Sequence, residues 1–248
     1  MKGTDVSVVI PTLNEEASIG RVIAEIREAL DKRKTGYEII VVDNNSTDRT
    51  SEIAQKSGAR LIFEGNMGYG LAYKAGLAAA QGDVIVTGDA DCTYPFDEIS
   101  RFVDAASADR NAFIIANRFV RLMPDGIRPL NILGNHMLTF GMRLIYGIKI
   151  SDSQSGMWAF NREFLDKINL SQMSDKMPFS QEMKLCAAFS GLRIVELPIR
   201  YRKRSGVAKL SPLRDGWDNL KSLITFRSTL SRVLKKHENK NITNIEPR

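Results

Sequence analysis

Asp89-Ala90-Asp91 follows the short apolar run Val84-Ile-Val-Thr87. Two carboxylates at i and i+2, leaving a strand at a sheet edge, can hold a divalent cation, because Mg²⁺ and Mn²⁺ take hard oxygen ligands and keep waters and substrate phosphates in their shell. An Asp-x-Asp alone is a weak signal, since aspartates in solvent-facing turns outnumber metal ligands. Its surroundings strengthen it. Residues 6–10 lead into Pro11-Thr-Leu-Asn-Glu-Glu16, and residues 38–42 lead into Asp43-Asn-Asn-Ser-Thr-Asp48. Helix capping, for which Asn14, Ser46, Thr47 and Asp97 are suitably placed, accounts for one residue per junction but not for a carboxylate at each.

The elements that must position these junctions follow from the hydrophobic pattern. It predicts strands over 6–10, 38–42, 60–63, 84–87 and 112–116, and helices over 15–34, 47–57, 70–81 and 96–106. Strands separated by helices imply right-handed crossovers and a mainly parallel sheet covered on both faces. Ligands of such sheets bind beyond the carboxyl ends of the strands, where the three acidic junctions converge. A dinucleotide-binding domain would need Gly-x-Gly-x-x-Gly directly after the first strand. That junction has none, and the cluster Gly65-Asn-Met-Gly-Tyr-Gly70 follows the third strand with a different spacing. It reads as a turn and helix start at which a ligand could approach the backbone closely.

The chain has 248 residues, of which 43% are hydrophobic and 26% charged, enough for one large globular domain with a core and too apolar for a disordered chain. No run of about 18 apolar residues is present to span a bilayer, and no basic-then-apolar leader precedes Val6, so no secretory signal is expected. Cys92 and Cys186 are expected to be free thiols of a cytoplasmic protein. Net charge is +6, but residues 200–236 alone carry +9 and the rest −3. Such a basic quarter suits an anionic partner, whether nucleic acid, anionic lipid or a phosphorylated substrate, although a solvated helix face is the commoner origin of charge runs.

Residues 8–16, 41–48 and 89–91, in that order and spacing, resemble the inverting glycosyltransferases of family 2. The similarity continues through Asn117-Arg118-Phe119, Gly134-Asn135, 151–160, 196–201, 204–210 and Arg214-Asp-Gly-Trp217, which resemble the branch that makes polyprenyl-phosphate hexoses, the dolichyl-phosphate mannose and glucose synthases. The resemblance covers roughly residues 5–225. It implies an α/β fold of the GT-A type, a Rossmann-like, mainly parallel sheet flanked by helices, with an amphipathic basic C-terminal helix. Residues 1–230 would form the transferase domain, with a nucleotide-sugar half over about 5–120 and an acceptor half over about 121–230. A polar, disordered tail would occupy 231–248.

The implied reaction is metal-dependent transfer of a hexose from a nucleotide sugar, of the GDP-mannose or UDP-glucose type, to a polyprenyl or dolichyl phosphate. Carried onto this sequence, the resemblance has Pro11, Leu13, Glu15, Val41 and Asp43 hold the base and ribose. Asp89, Ala90 and Asp91 would hold the sugar diphosphate, and Asp89 and Asp91 the Mg²⁺ or Mn²⁺. Arg118 would face the phosphates, Arg204 and Lys209 would close over the site on a mobile loop, and Arg128 would join these two at the acceptor phosphate. Three departures from the family pattern stand out. Cys92-Thr93-Tyr94 follows Asp91 where a glutamine would give a third metal contact, Ala208 lacks the usual serine hydroxyl, and Asn44 replaces a common second aspartate. A lipid phosphate is already an anion at pH 7, so no poised base is required, and His136 and His237 are read as structural.

Residues 126–151 contain no acid, three bases and a broad apolar set, and residues 210–234 have a similar character. A core-facing helix is the plain alternative, but both suit helices lying in a headgroup region. The expected partners are therefore a nucleotide sugar, a polyprenyl phosphate and an anionic membrane surface on the cytoplasmic face, with room for a membrane anchor subunit. A soluble saccharide or protein acceptor is the rival within the family. Nucleic-acid binding, suggested by charge alone, lacks a recognisable module and is not expected.

Overall fold

The computed structural model describes residues 4–121, 127–206 and 212–234. Among them, seven strands form one sheet in the order β3-β2-β1-β4-β6-β5-β7. The first half alternates β1 (Val6–Thr12), α1 (Ile19–Arg33), β2 (Tyr37–Asp43), α2 (Thr50–Lys56), β3 (Arg60–Phe63), α3 (Tyr69–Ala79) and β4 (Val84–Thr87). A 3₁₀ turn, Phe96–Glu98, leads into α4 (Ile99–Ala108) and β5 (Ala112–Asn117). The second half contributes α5 (Pro129–Tyr146), β6 (Trp158–Asn161), α6 (Phe179–Phe189), β7 (Arg193–Pro198) and α7 (Pro212–Val233). All pairings are parallel except those of β6, which runs antiparallel to both β4 and β5.

The period of two along the strands divides the core. Val8 and Ile10 of β1, with Ile39 and Val41 of β2, pack under α1, α2 and α4. Val9, Ile40 and Val42 point the other way, into a layer built by α3, α5, α6 and α7. Because β2 and β4 pair with opposite edges of β1, the chain reverses its direction of travel across the sheet between them. The crevice beyond their carboxyl ends opens at this switch point.

The predicted strands are all present, and β1 and β2 each extend to the end of their apolar run and beyond. Helices α1 and α2 begin later than the pattern suggests. Asn14 and Asn45 adopt left-handed φ values of 50° and 70°, which stop a helix from starting at either junction. None of Asn14, Ser46, Thr47 or Asp97 caps a helix. Asn14 and Ser46 instead join the two junction loops, and Asp97 accepts from Arg202 at 2.6 Å. The expected tail boundary also moves. Val233 is fully buried, its carbonyl accepts from the Asn169 amide at 2.7 Å, and Leu234 bridges Ile168, so residues 231–234 belong to the fold. Residues 235–248 lie outside the described residues.

Candidate active site

The first wall of the site is made by two loops that hold each other. Asn14 accepts from the Thr47 amide at 2.7 Å and donates its own amide to Ser46 Oγ at 2.9 Å, while the Glu15 amide donates to Thr50 Oγ1 at 2.7 Å. Pro11, Leu13 and Glu15 thereby line a cavity of about 550 Å³ that also takes in Asp89, Ala90 and Asp91. Two residues expected at the nucleotide do not reach it. Val41 is fully buried in the β2 core, and Asp43 turns to its own junction, accepting from the Ser46 amide at 2.9 Å and from Ser51 Oγ. Asn44 lines the cavity instead. Its Nδ2 donates to the Glu64 and Asn66 carbonyls at 2.9 and 2.6 Å, and its Oδ1 accepts from the Gly68 amide at 2.8 Å. An aspartate could not make the first two bonds, so the asparagine does more than remove a charge. It ties the β3–α3 loop to the end of β2.

The two aspartates differ. Asp91 accepts from the Thr93 amide and hydroxyl at 3.0 and 2.6 Å and from Arg204 Nη1 at 2.7 Å. Asp89 has no hydrogen-bond donor among the described residues. Burial, and then the neighbouring Asp91 charge, push its carboxyl up to about 7 against the pull of Arg204 and Arg118. Gly156 packs so closely that a Cβ there would sit 3.2 Å from both Asp89 oxygens. An under-compensated carboxylate two residues from a second one fits a divalent cation completed by substrate oxygens. No cluster of three or more His, Cys, Asp or Glu stands ready as a full ligand set among the described residues.

The second wall comes from irregular segments. Arg118, at the end of β5, lines the cavity, yet its Nε and Nη2 each donate to the fully buried Asp152 at 2.7 Å, and its guanidinium lies 5.3 Å from the Tyr201 ring centroid. Burial acts to raise the Asp152 carboxyl, but the Arg118 charge and its hydrogen bonds outweigh that and hold it below the usual range. Asn135 of α5 donates to the same carboxylate at 3.0 Å, and Glu196 of β7 accepts from the Asp152 amide at 3.0 Å. The Ser155 carbonyl accepts from Trp158 Nε1 at 2.6 Å and from the buried Lys184 ammonium at 2.8 Å, which fixes the backbone just before Gly156. Burial lowers Lys184 well below an ordinary lysine.

Arg204 sits between two acids of the first wall, with Nη2 2.6 Å from Glu15 and Nη1 2.7 Å from Asp91. Its segment is pinned along the Asp91–Thr93 backbone, with Ser205 N donating to Asp91 O and Arg202 N to Thr93 O, both at 2.9 Å. The arginine expected to meet phosphates is therefore already paired with carboxylates. Its expected companion Lys209 lies outside the described residues. Arg128, at the start of α5, is exposed and does not line the cavity, so the structure does not bring it to Arg118 and Arg204.

The glycine-rich cluster reaches the cavity at Gly68, and its glycines also pack against another stretch of backbone. A Cβ on Gly70 would lie 2.2 Å from the Ser174 carbonyl, and one on Gly68 2.4 Å from the Asp175 carbonyl. The glycines admit the 174–175 backbone, whose Asp175 carbonyl accepts from the Gly70 amide at 2.9 Å. That contact carries Lys176 and Met177 into the cavity, and neither was singled out in the sequence. Tyr94, Asp152 and Tyr201 were missed as well, although each lies in or beside a motif noted there. His136 is exposed on α5 with its ring 4.9 Å from that of Phe119, outside the cavity lining. Both cysteines are buried and free.

Comparison with known proteins agrees with this geometry. The profile of glycosyl transferase family 2 matches residues 7–169. A low-salt glycan biosynthesis hexosyltransferase of Haloferax volcanii is 37% identical over 220 residues, which cover 88% of this chain and 52% of that protein, so the chain spans about half of that relative. A dolichyl-phosphate hexose transferase of the same organism is 34% identical over 220 residues, 89% of this chain and 92% of that protein. Among solved structures, glucosyl-3-phosphoglycerate synthase of Mycobacterium tuberculosis, in complex with Mn²⁺, UDP-glucose and phosphoglyceric acid, superposes with a TM-score of 0.71 at 24% identity over 94% of this chain and 82% of that one. It shares the GT-A fold. With the acidic edge of its parallel sheet, its family profile and its relatives in agreement, the chain belongs to glycosyl transferase family 2 and is a glycosyltransferase.

Proposed function

We propose that the cavity binds a nucleotide sugar together with Mg²⁺ or Mn²⁺ and transfers its hexose, with inversion, to a polyprenyl phosphate at the cytoplasmic face of an anionic membrane. The observation that carries this reading is the pairing in one cavity of the Asp89–Asp91 edge with Arg118 and Arg204, with no histidine among the described residues that line it. The acceptor phosphate is already anionic at pH 7, so the site has to align it with the anomeric carbon and disperse the charge of the leaving diphosphate. A divalent cation held at Asp89 and Asp91, when bound, supplies that electrostatic dispersal. Pro11, Leu13 and Glu15 support the base end, with Asn44 holding the loop beside it. Arg118, fixed by Asp152, lines the cavity beside them. Arg204, and by the resemblance Lys209, would stabilise the departing diphosphate, and Arg128 would have to move to contribute at the acceptor phosphate.

Membrane docking is favoured by two helix faces. On α5, Leu130, Leu133, Met137, Phe140 and Leu144 are exposed at spacings of three and four residues, and Trp217, Leu220 and Ile224 repeat this on the neighbouring α7. Arg227 and Arg232 are exposed further along α7. No described helix is long and apolar enough to cross a membrane, so a surface contact or an anchor subunit would hold the enzyme there. The test is an assay of several nucleotide sugars with a polyprenyl phosphate and either metal, reading lipid-soluble product. Transfer only to soluble saccharides or proteins would overturn the acceptor class. Failure to sediment with anionic vesicles at low salt would overturn docking, where each base near the surface contributes about 1 kcal/mol.

A further inference from the structure

We infer that Lys176 receives the phosphate monoester of the acceptor, at the point where the site cavity meets a second cavity between α6 and α7. The inference rests on the reading that the acceptor is a phosphate. Among the described residues three cations line the site cavity, Arg118, Lys176 and Arg204. Arg118 is engaged edge-on by Asp152, and Arg204 by Glu15 and Asp91. A guanidinium so paired donates hydrogen bonds but presents little net charge to a dianion. Five carboxylates line the same cavity; Glu15 and Asp91 are the partners of Arg204, while Asp89 and Asp218 oppose the entry of a phosphate.

Lys176 differs from both arginines. Its ammonium meets no carboxylate among the described residues, and its side chain is exposed. Its backbone is nevertheless fixed, since its amide donates to Ser174 Oγ at 3.2 Å and the Ser174 amide donates to Glu182 at 2.7 Å. On the other side, Lys74 holds the Met173 carbonyl at 2.6 Å. A free ammonium on a held loop can swing three donors towards an anion at small ordering cost. The second cavity, about 290 Å³, shares Lys176 and Asp218 with the first and continues along α7 past Lys221, Ser222 and Thr225. A phosphate entering along α7, the helix that exposes Trp217 and Ile224, therefore meets Lys176 at the threshold of the site.

Calorimetric titration of the full chain with citronellyl phosphate, a short water-soluble prenyl phosphate, tests this without requiring transfer. Lys176→Gln should weaken its binding about tenfold, the loss of one charge-assisted hydrogen bond. Lys176→Arg should stay within about threefold of wild type, and Lys221→Gln, in the second cavity alone, should change it less than twofold. Asp218→Asn should tighten binding, because it removes a repelling carboxylate at the same threshold. GDP and UDP titrated with Mn²⁺ form the other arm and should bind Lys176→Gln as they bind wild type. Equal affinity of wild type and Lys176→Gln for the prenyl phosphate, absence of binding to wild type, or a loss confined to the nucleoside diphosphates would each overturn the inference. Lys176-dependent binding without hexose transfer by wild type would instead leave it standing and remove the proposed reaction.

Discussion

The two walls of the cavity are built by opposite strategies. The first wall uses the ends of β1, β2 and β4, and its loops are held by side chains a few residues from the strand that delivers them, such as Asn14, Thr50 and Asn44. The second wall is made largely of segments without regular structure, positioned by buried polar and charged pairs: Arg118 on Asp152, Lys184 on Ser155, Arg204 on Glu15. A sheet edge places its residues by register alone. An irregular wall must be held by charges and hydrogen bonds in the interior, where leaving one partner unpaired is costly.

Breaking the irregular wall should have the largest effect. Asp152→Ala leaves the Arg118 guanidinium without its counter-charge and is expected to cost about 3–5 kcal/mol of stability, read as a lower urea midpoint. On the sheet edge, Asp91→Ala should cost about 10²–10³-fold in turnover while moving the midpoint far less, since the strand-end carboxylate contributes to the site more than to the core. Comparing turnover and unfolding for the two variants tests the contrast directly. Equal losses of stability would erase it.

Asn44→Asp sharpens the comparison within the first wall. Two carbonyls lose their donors and face a carboxylate, which should cost about 1–3 kcal/mol and raise the KM for the nucleotide sugar through a loosened β3–α3 loop. An unchanged KM would show that the loop does not serve the nucleotide.

The smallest expected effect is in pH dependence. The folded Asp152 carboxyl is held below its ordinary value, so its contribution to stability is fully present above the unfolded-state value and is lost as pH falls through the folded one. Glu182, raised chiefly by burial, has the opposite sign, contributing at low pH and losing that contribution as pH rises through its folded value. Unfolding midpoints between pH 3 and 6 should therefore rise less steeply with pH in Asp152→Asn than in wild type, and more steeply in Glu182→Gln. Parallel profiles for all three proteins would contradict both assignments.

The order and type of the first five strands, the parallel sheet, and the acidic edge at Glu15, Asp89 and Asp91 were legible in the sequence, because each follows from local periodicity and from the rule that ligands gather at strand ends. Periodicity also placed Asp43 at that edge, but which way a junction side chain turns depends on the loop it meets, and Asp43 turns to Ser46. β6 is four residues long and runs antiparallel between β4 and β5, an insertion that no local pattern marks. The glycines at 68 and 70 were visible, but their meaning came from the 174–175 backbone that packs on them, about a hundred residues away. The sequence by itself determined the first five strands and the acidic edge they carry, since both follow from local periodicity. Only the tertiary structure decided the other wall, the pairing of Arg204 with Glu15 and Asp91 and the lack of a carboxylate partner for Lys176 among the described residues, because charge balance in a cavity is set by groups that meet only after the sheet has closed.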